Sequence, residues 1–187
     1  MPKNRREQLE LACSEKLLVR FYSSFGTGSR IGYVLDIGRH FLLFARIDDG
    51  MKFDGFDCVR IEDLRRFKVP AQHAEFVLAA LRKQKQLIRR KPKIDLSSVT
   101  SILQSANKIF PLITIYRERR NPNVCNIGRI ENVDEENVLL LQIDPDAEWE
   151  MKPKKLRISE ITQIQFGGAY EHALYLVGGE PPNSKPK

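Results

Sequence analysis

Two apolar runs separated by a glycine-bearing turn fill the stretch RIGYVLDIGRHFLLFARIDDG, Arg30 to Gly50. A glycine inside a strand pattern marks a sharp bend or a close approach of two backbones. A phosphate-cradling loop would place its glycines between a strand and a helix. Here the following segment, HFLLFARID, is a second strand, so the pattern predicts strand, bend, turn and strand of a small barrel rather than a ligand loop.

The stretch has a counterpart 96 residues on, NIGRIENVDEENVLLLQIDPD, Asn126 to Asp146, with five identities in 21 positions. Val34/Ile130, Ile37/Val133, Leu42/Val138 and Phe44/Leu140 keep their apolar character. Upstream, VRFY (19–22) resembles ITIY (113–116) at an offset of 94; downstream, VRIEDLRRF (59–67) matches LRISEITQI (156–164) at 97. Small drifts of offset are what unequal loops in two copies of one fold produce. The chain therefore reads as an internal duplication.

Each copy opens with a short amphipathic helix. In the second, Val99, Ile102, Leu103 and Ala106 recur at helical spacing behind Ser97 or Ser98 as N-cap. Four or five short strand-like runs follow, broken by turns such as FGTGS, DDG, RNPN and DPD. A helical segment then closes each copy; in the first it spans residues 71–91 and stops at Pro92. The expected fold is mainly β with flanking helices (α+β), as two tandem small SH3-like or Sm-like barrels. The expected divisions are 1–83 for the first barrel, 84–94 for a basic linker, 95–178 for the second barrel and 179–187 for a disordered tail.

Composition changes this picture little: 42% hydrophobic and 29% charged residues suit a globular chain. No apolar run nears the roughly 20 residues of a membrane helix, and MPKNRREQLE lacks the apolar segment of a secretory signal. Cys13, Cys58 and Cys125 are too few and too scattered for a disulfide or zinc framework, and read as small buried hydrophobes in a reducing, cytoplasmic setting.

Charge matters more. The net charge is +7, and residues 82–93, RKQKQLIRRKPK, hold seven basic residues and no acidic one. Removing those seven from the 31 basic residues leaves 24, against 24 acidic. The folded copies are neutral on balance, and the excess lies in one segment suited to a polyanion such as RNA. Arg89, Arg90 and Lys91 are its candidate phosphate contacts. Arg117, Arg119 and Arg120 crowd one further turn.

Catalytic and metal signatures are missing. His40, His73 and His172 stand apart with no HxH or HExxH spacing, and no GxSxG, P-loop or dinucleotide fingerprint occurs. The acidic turn NVDEEN (132–137) reads as a solvated turn. The chain is expected to be no enzyme and to need no cofactor or metal.

One helix before about five bent strands, with glycine inside the second, resembles the Sm-like fold of the eukaryotic Sm and LSm proteins and the bacterial RNA chaperone Hfq. That family's first motif sets an aspartate six residues after a glycine and an asparagine three further. Gly128, Asp134 and Asn137 stand so, whereas the first copy has Gly32 followed by Gly38 and Phe41. The second motif's arginine is kept as Arg60 and Arg157, but Ile61 and Ile158 replace its glycine. Other SH3-like barrels share the bent second strand and the I-x-x-I pattern.

The resemblance implies a single-stranded RNA pocket formed by two turns, where flat side chains stack on bases and arginine meets phosphate. Asp134, Asn137 and Arg157 are the candidates in the second copy, and Arg39, His40 and Arg60 in the first. It also implies association through edge strands, which gives the alternative function: a protein-interaction or assembly module, with a protein partner or self-association into an oligomer.

Overall fold

The computed structural model describes residues 4–25, 28–87 and 90–181. Arg89 and residues 182–187 of the expected tail lie outside them. The first copy comprises α1 (Arg5–Ser14), β1 (Leu18–Ser23), β2 (Ser29–Ile37), β3 (Phe41–Ile47), β4 (Phe53–Arg60), a 3-10 turn (Ile61–Asp63), β5 (Leu64–Lys68) and α2 (Ala74–Lys83). The second repeats this order as α3 (Val99–Asn107), β6 (Ile113–Tyr116), β7 (Cys125–Val133), β8 (Asn137–Gln142), β9 (Lys154–Arg157), a 3-10 turn (Ile158–Glu160), β10 (Gln163–Phe166) and α4 (Ala169–Gly178). The two 3-10 turns fall 97 residues apart, the same offset that aligns the sequences around them.

The two closed barrels expected from the sequence are not formed. All ten strands make one open antiparallel sheet in the order β5-β1-β2-β3-β4-β10-β6-β7-β8-β9. β5 returns to pair with β1, Phe21 opposite Phe67, but it does not meet β4. The outer edge of β4 pairs instead with β10, Phe56 to Val59 against Phe166 to Gln163. The backbone groups that would close the first barrel on its own fifth strand are thus taken by the fifth strand of the other copy. β5 and β9 remain as the two edges of the sheet.

Close backbone approach explains the two internal glycines. A Cβ on Gly32 would lie 1.9 Å from the Ala45 carbonyl oxygen, and one on Gly128 would lie 2.0 Å from that of Leu141. Both stand just before a register shift, at Val34/Asp36 and at Ile130/Asn132, where an extra residue bends the strand pair.

One hydrophobic cluster runs through both copies, from Leu43, Phe56 and Cys58 to Ile102, Ile115, Ile164 and Phe166. A second cluster lies under α1, whose Leu9 and Ala12 meet Phe21, Val34 and Phe44. Asn4 caps α1 by accepting the Glu7 N–H at 2.9 Å, and Ser98 caps α3 by accepting that of Ser101 at 3.0 Å.

The closing helix of the first copy ends at Lys83, short of Pro92, because Lys85 takes a left-handed conformation with φ 53°. Gln84 and Gln86 then turn toward the β3–β4 hairpin, bonding the Gly50 carbonyl and the Phe53 N–H. Of the cysteines, Cys58 alone is fully buried; Cys13 is half-buried and Cys125 exposed, and all three are free. Among the described residues no helix is long and apolar enough to cross a membrane.

Because a methyl group at Gly128 would meet rigid backbone, Gly128→Ala is expected to destabilise the fold by about 2–4 kcal/mol, measured by urea unfolding. An unchanged midpoint would mean that the two strands can separate there at little cost.

Candidate nucleic-acid interface

The turns singled out in the sequence form two equivalent corners. In the second copy the hairpin between β7 and β8 is closed by the Asp134 N–H donating to the Asn137 carbonyl at 2.9 Å. Asp134 Oδ1 accepts the N–H groups of Asn137 at 2.7 Å and Glu136 at 2.9 Å. These bonds hold the exposed Asp134 carboxyl below its ordinary pKa. Asp134 Oδ1 therefore builds the turn, while the carboxyl itself stays exposed. Asn137, which is buried, lies directly opposite the exposed Arg157 across β8 and β9. The Ile158 N–H docks on the Glu136 carbonyl at 2.8 Å and fixes the 3-10 turn to the hairpin.

The first copy repeats this frame with different side chains. Gly38 N–H donates to the Phe41 carbonyl, and Ile61 N–H to that of His40. The side chains of Arg39 and His40 are exposed. Phe41 stands opposite Arg60, whose guanidinium lies 4.9 Å from the ring centroid and reaches the Ile161 carbonyl at 3.4 Å. Arg60 is thus engaged within the fold, while Arg157 has no charged or hydrogen-bonding side-chain partner among the described residues.

The linker is tied to the first copy. Lys91 Nζ bridges Asp36 at 2.9 Å, and Ile94 and Leu96 are buried in the main cluster. Arg90 is exposed. The crowded turn at 117–120 is neutralised: Arg117 and Arg120 share Glu160, and Arg119 bridges Asp63 at 2.6 Å. The three histidines are exposed, and among the described residues no group of His, Cys, Asp or Glu side chains is placed to hold a metal ion.

Sequence reasoning missed how charge is distributed around the sheet. At the seam between β4 and β10, Asp57 is fully buried, with Arg30 at 3.6 Å and Arg46 at 3.5 Å. Arg46 also bridges Asp54 at 2.8 Å, and buried Glu171 accepts the Thr114 hydroxyl at 2.6 Å. Tyr116, whose hydroxyl donates to Gln165 at 3.0 Å, has its pKa pushed up to about 12 by burial. Beside the seam a cleft of about 430 Å³ has Phe53, Phe110 and Leu112 in its wall, with Glu171 as its carboxylate.

The two open edges differ from the joined ones. β5 carries Arg65, Arg66 and Lys68 exposed, and β9 carries Lys154, Lys155 and Arg157 exposed. At the 97-residue offset, Gln163, Ile164 and Gln165 of the joined β10 correspond to Arg66, Phe67 and Lys68 of the open β5. Asp57 and Cys58 of the joined β4 correspond to Lys154 and Lys155 of the open β9. The signal was visible as RRFK and KPKK, but a chain-wide balance of charges hid it.

No family model, curated protein or solved structure matches this chain.

Burial raises the Asp57 pKa from its ordinary value of 3.8, with Arg46 and Arg30 opposing the shift. The folded chain therefore holds that proton to higher pH than the unfolded chain does. This contribution makes stability fall as pH rises from 3.8 through the raised value, and level off above it. Asp57→Asn is expected to remove that fall, read as urea midpoints across the acidic range. Parallel pH profiles for the two proteins would show that Asp57 ionises as freely in the fold as outside it.

Proposed function

We propose that this chain is a non-enzymatic binding protein for single-stranded RNA. The observation that carries the proposal is the contrast between joined and open sheet edges. The pairing that joins the two copies uses neutral and acidic strands, while both open edges present cations. Exposed lysine and arginine rows attract a phosphate backbone and gain from counterion release. The exposed cations of the linker add to the same field.

The Sm-like resemblance supports a contact at the second corner, where Arg157 stands beside Asn137 on the open edge. The first corner is filled by Arg60 over Phe41. Arg157 and Asn137 are therefore read as the base-contacting pair, with Asp134 shaping the turn, Lys154 and Lys155 meeting phosphate, and Arg60 serving the fold.

The rival reading, assembly through strand edges, draws on the fact that the two copies are themselves joined that way. Two chains joining β9 to β5 in the β4–β10 register would meet unfavourable pairs. Lys154 would face Lys68, and Pro153, which has no N–H, would face Val69. Like charges directly opposite destabilise a strand pair, and proline cannot donate to the ladder. The edges favour a polyanion over a second copy.

Labelled single-stranded RNA is expected to bind at low salt and to weaken steeply as salt rises. Arg157→Ala, or Lys154→Glu with Lys155→Glu, is expected to lower affinity about tenfold or more, whereas Arg60→Ala lowers thermal stability and leaves affinity nearly unchanged. The mass in solution is expected to be that of one chain. No binding at low salt would overturn the proposal, and a defined multimer would favour the rival.

A further inference from the structure

A second feature of the β5 edge goes beyond cation density. A cleft of about 420 Å³ opens between the start of α1 and the end of the sheet. Its wall includes Arg5, Tyr22, Arg66, Phe67 and Lys68, and among the described residues no carboxylate lines it. Its size lies in the range of small-ligand sites.

The side chains are arranged as well as charged. The Arg66 guanidinium lies 4.6 Å from the centroid of the Tyr22 ring. Tyr22 and Arg66 face each other directly across β1 and β5, so the backbone register fixes that placement. Arg66 is exposed and Tyr22 half-buried. The guanidinium therefore lies over the ring on a side chain that is itself open to solvent. Arg66 has no acidic partner among the described residues.

Arg5 is anchored by one bond, Nη1 to the Leu64 carbonyl at 2.7 Å, which leaves others of its five donors uncommitted. Among the described residues, Lys68 makes one long contact, to Gln72 Oε1 at 3.4 Å. A planar cation backed by an aromatic ring is a stacking platform for a nucleobase, and flanking cations suit the adjoining phosphates.

We propose that this cleft is a nucleotide subsite for single-stranded RNA. One base stacks on the outer face of Arg66, and Arg5 and Lys68 meet the phosphates on either side. The subsite rests on the RNA-binding reading, but it is a separate place from the Asn137–Arg157 corner. It lies at the β5 end of the sheet, and that corner lies at the β9 end.

Arg66→Lys tests it, because the charge stays and the plane is lost. With the full chain and labelled oligouridine and oligoadenylate, the variant is expected to bind about tenfold more weakly. The dependence on salt should be unchanged, since the number of cations is the same. Arg66 is exposed, so the fold should persist, which equal melting temperatures would verify. Photocrosslinking of 5-iodouridine RNA to the unaltered protein is expected to map to the peptides holding Tyr22 or Phe67.

Wild-type affinity in Arg66→Lys, or crosslinks confined to other peptides, would overturn the subsite while leaving RNA binding elsewhere intact. No RNA bound by the unaltered chain would overturn both. Polyglutamate binding as tightly as RNA, with Arg66→Lys indistinguishable from wild type, would assign the cleft to an acidic protein segment and overturn the subsite.

Discussion

The antiparallel seam between β4 and β10 governs the rest of the molecule. A bare strand edge must be paired, covered or charged, since its unpaired backbone groups invite another strand. Here the β4 edge is given to the fifth strand of the other copy, so neither copy closes on itself. The sheet becomes continuous, the hydrophobic cluster extends through both copies, and the two remaining edges fall at opposite ends of the strand order. The seam also buries Asp57, and a carboxylate without solvent needs nearby cations or it is strongly unfavourable. Arg30 and Arg46 supply them from β2 and β3.

Charge follows from that arrangement. Asp57, Glu118 and Glu171 are each less than a tenth exposed, so a share of the acidic residues is withdrawn from the surface. Several arginines near the second copy's first turn are matched to Glu160 and Asp63. The exposed cations of β5 and β9, and Arg90 of the linker, form no ion pair among the described residues. A molecule whose two copies balance in sequence thus shows solvent a more basic outline than its composition states.

Much of the local structure was legible in the residues. The duplication, the order of elements within each copy, the serine cap of α3 and the close backbone approach at Gly32 and Gly128 all follow from short-range pattern. Strand closure was not legible, because Phe56 to Val59 read the same whether they pair with their own fifth strand or with another. Both are buried strand contexts, and periodicity cannot name the partner. The end of α2 was missed for a smaller reason: nothing in RKQKQ announces that Lys85 turns left-handed and two glutamines reach for the Gly50–Phe53 hairpin.

The candidate site was legible in half. The sequence places Asp134, Asn137 and Arg157 together, and the fold brings them to one corner, with Asp134 occupied by the turn itself. It also paired Arg60 with its corner but could not show that the Ile161 carbonyl and the Phe41 ring hold it. The Tyr22–Arg66 cation–ring contact was invisible, since it depends on the register between the first and fifth strands, which are far apart in the chain.

Asp57 and Lys154 are the same position in two copies, as are Gln165 and Lys68, yet one of each pair sits inside a seam and the other at a rim. Separately made identical units could not hold both solutions, because every substitution would appear at both places. In one polypeptide the number of joined units is set by translation rather than by an association equilibrium. The pair is therefore as complete in dilute solution as in a crowded one, and each edge is free to diverge without weakening its twin.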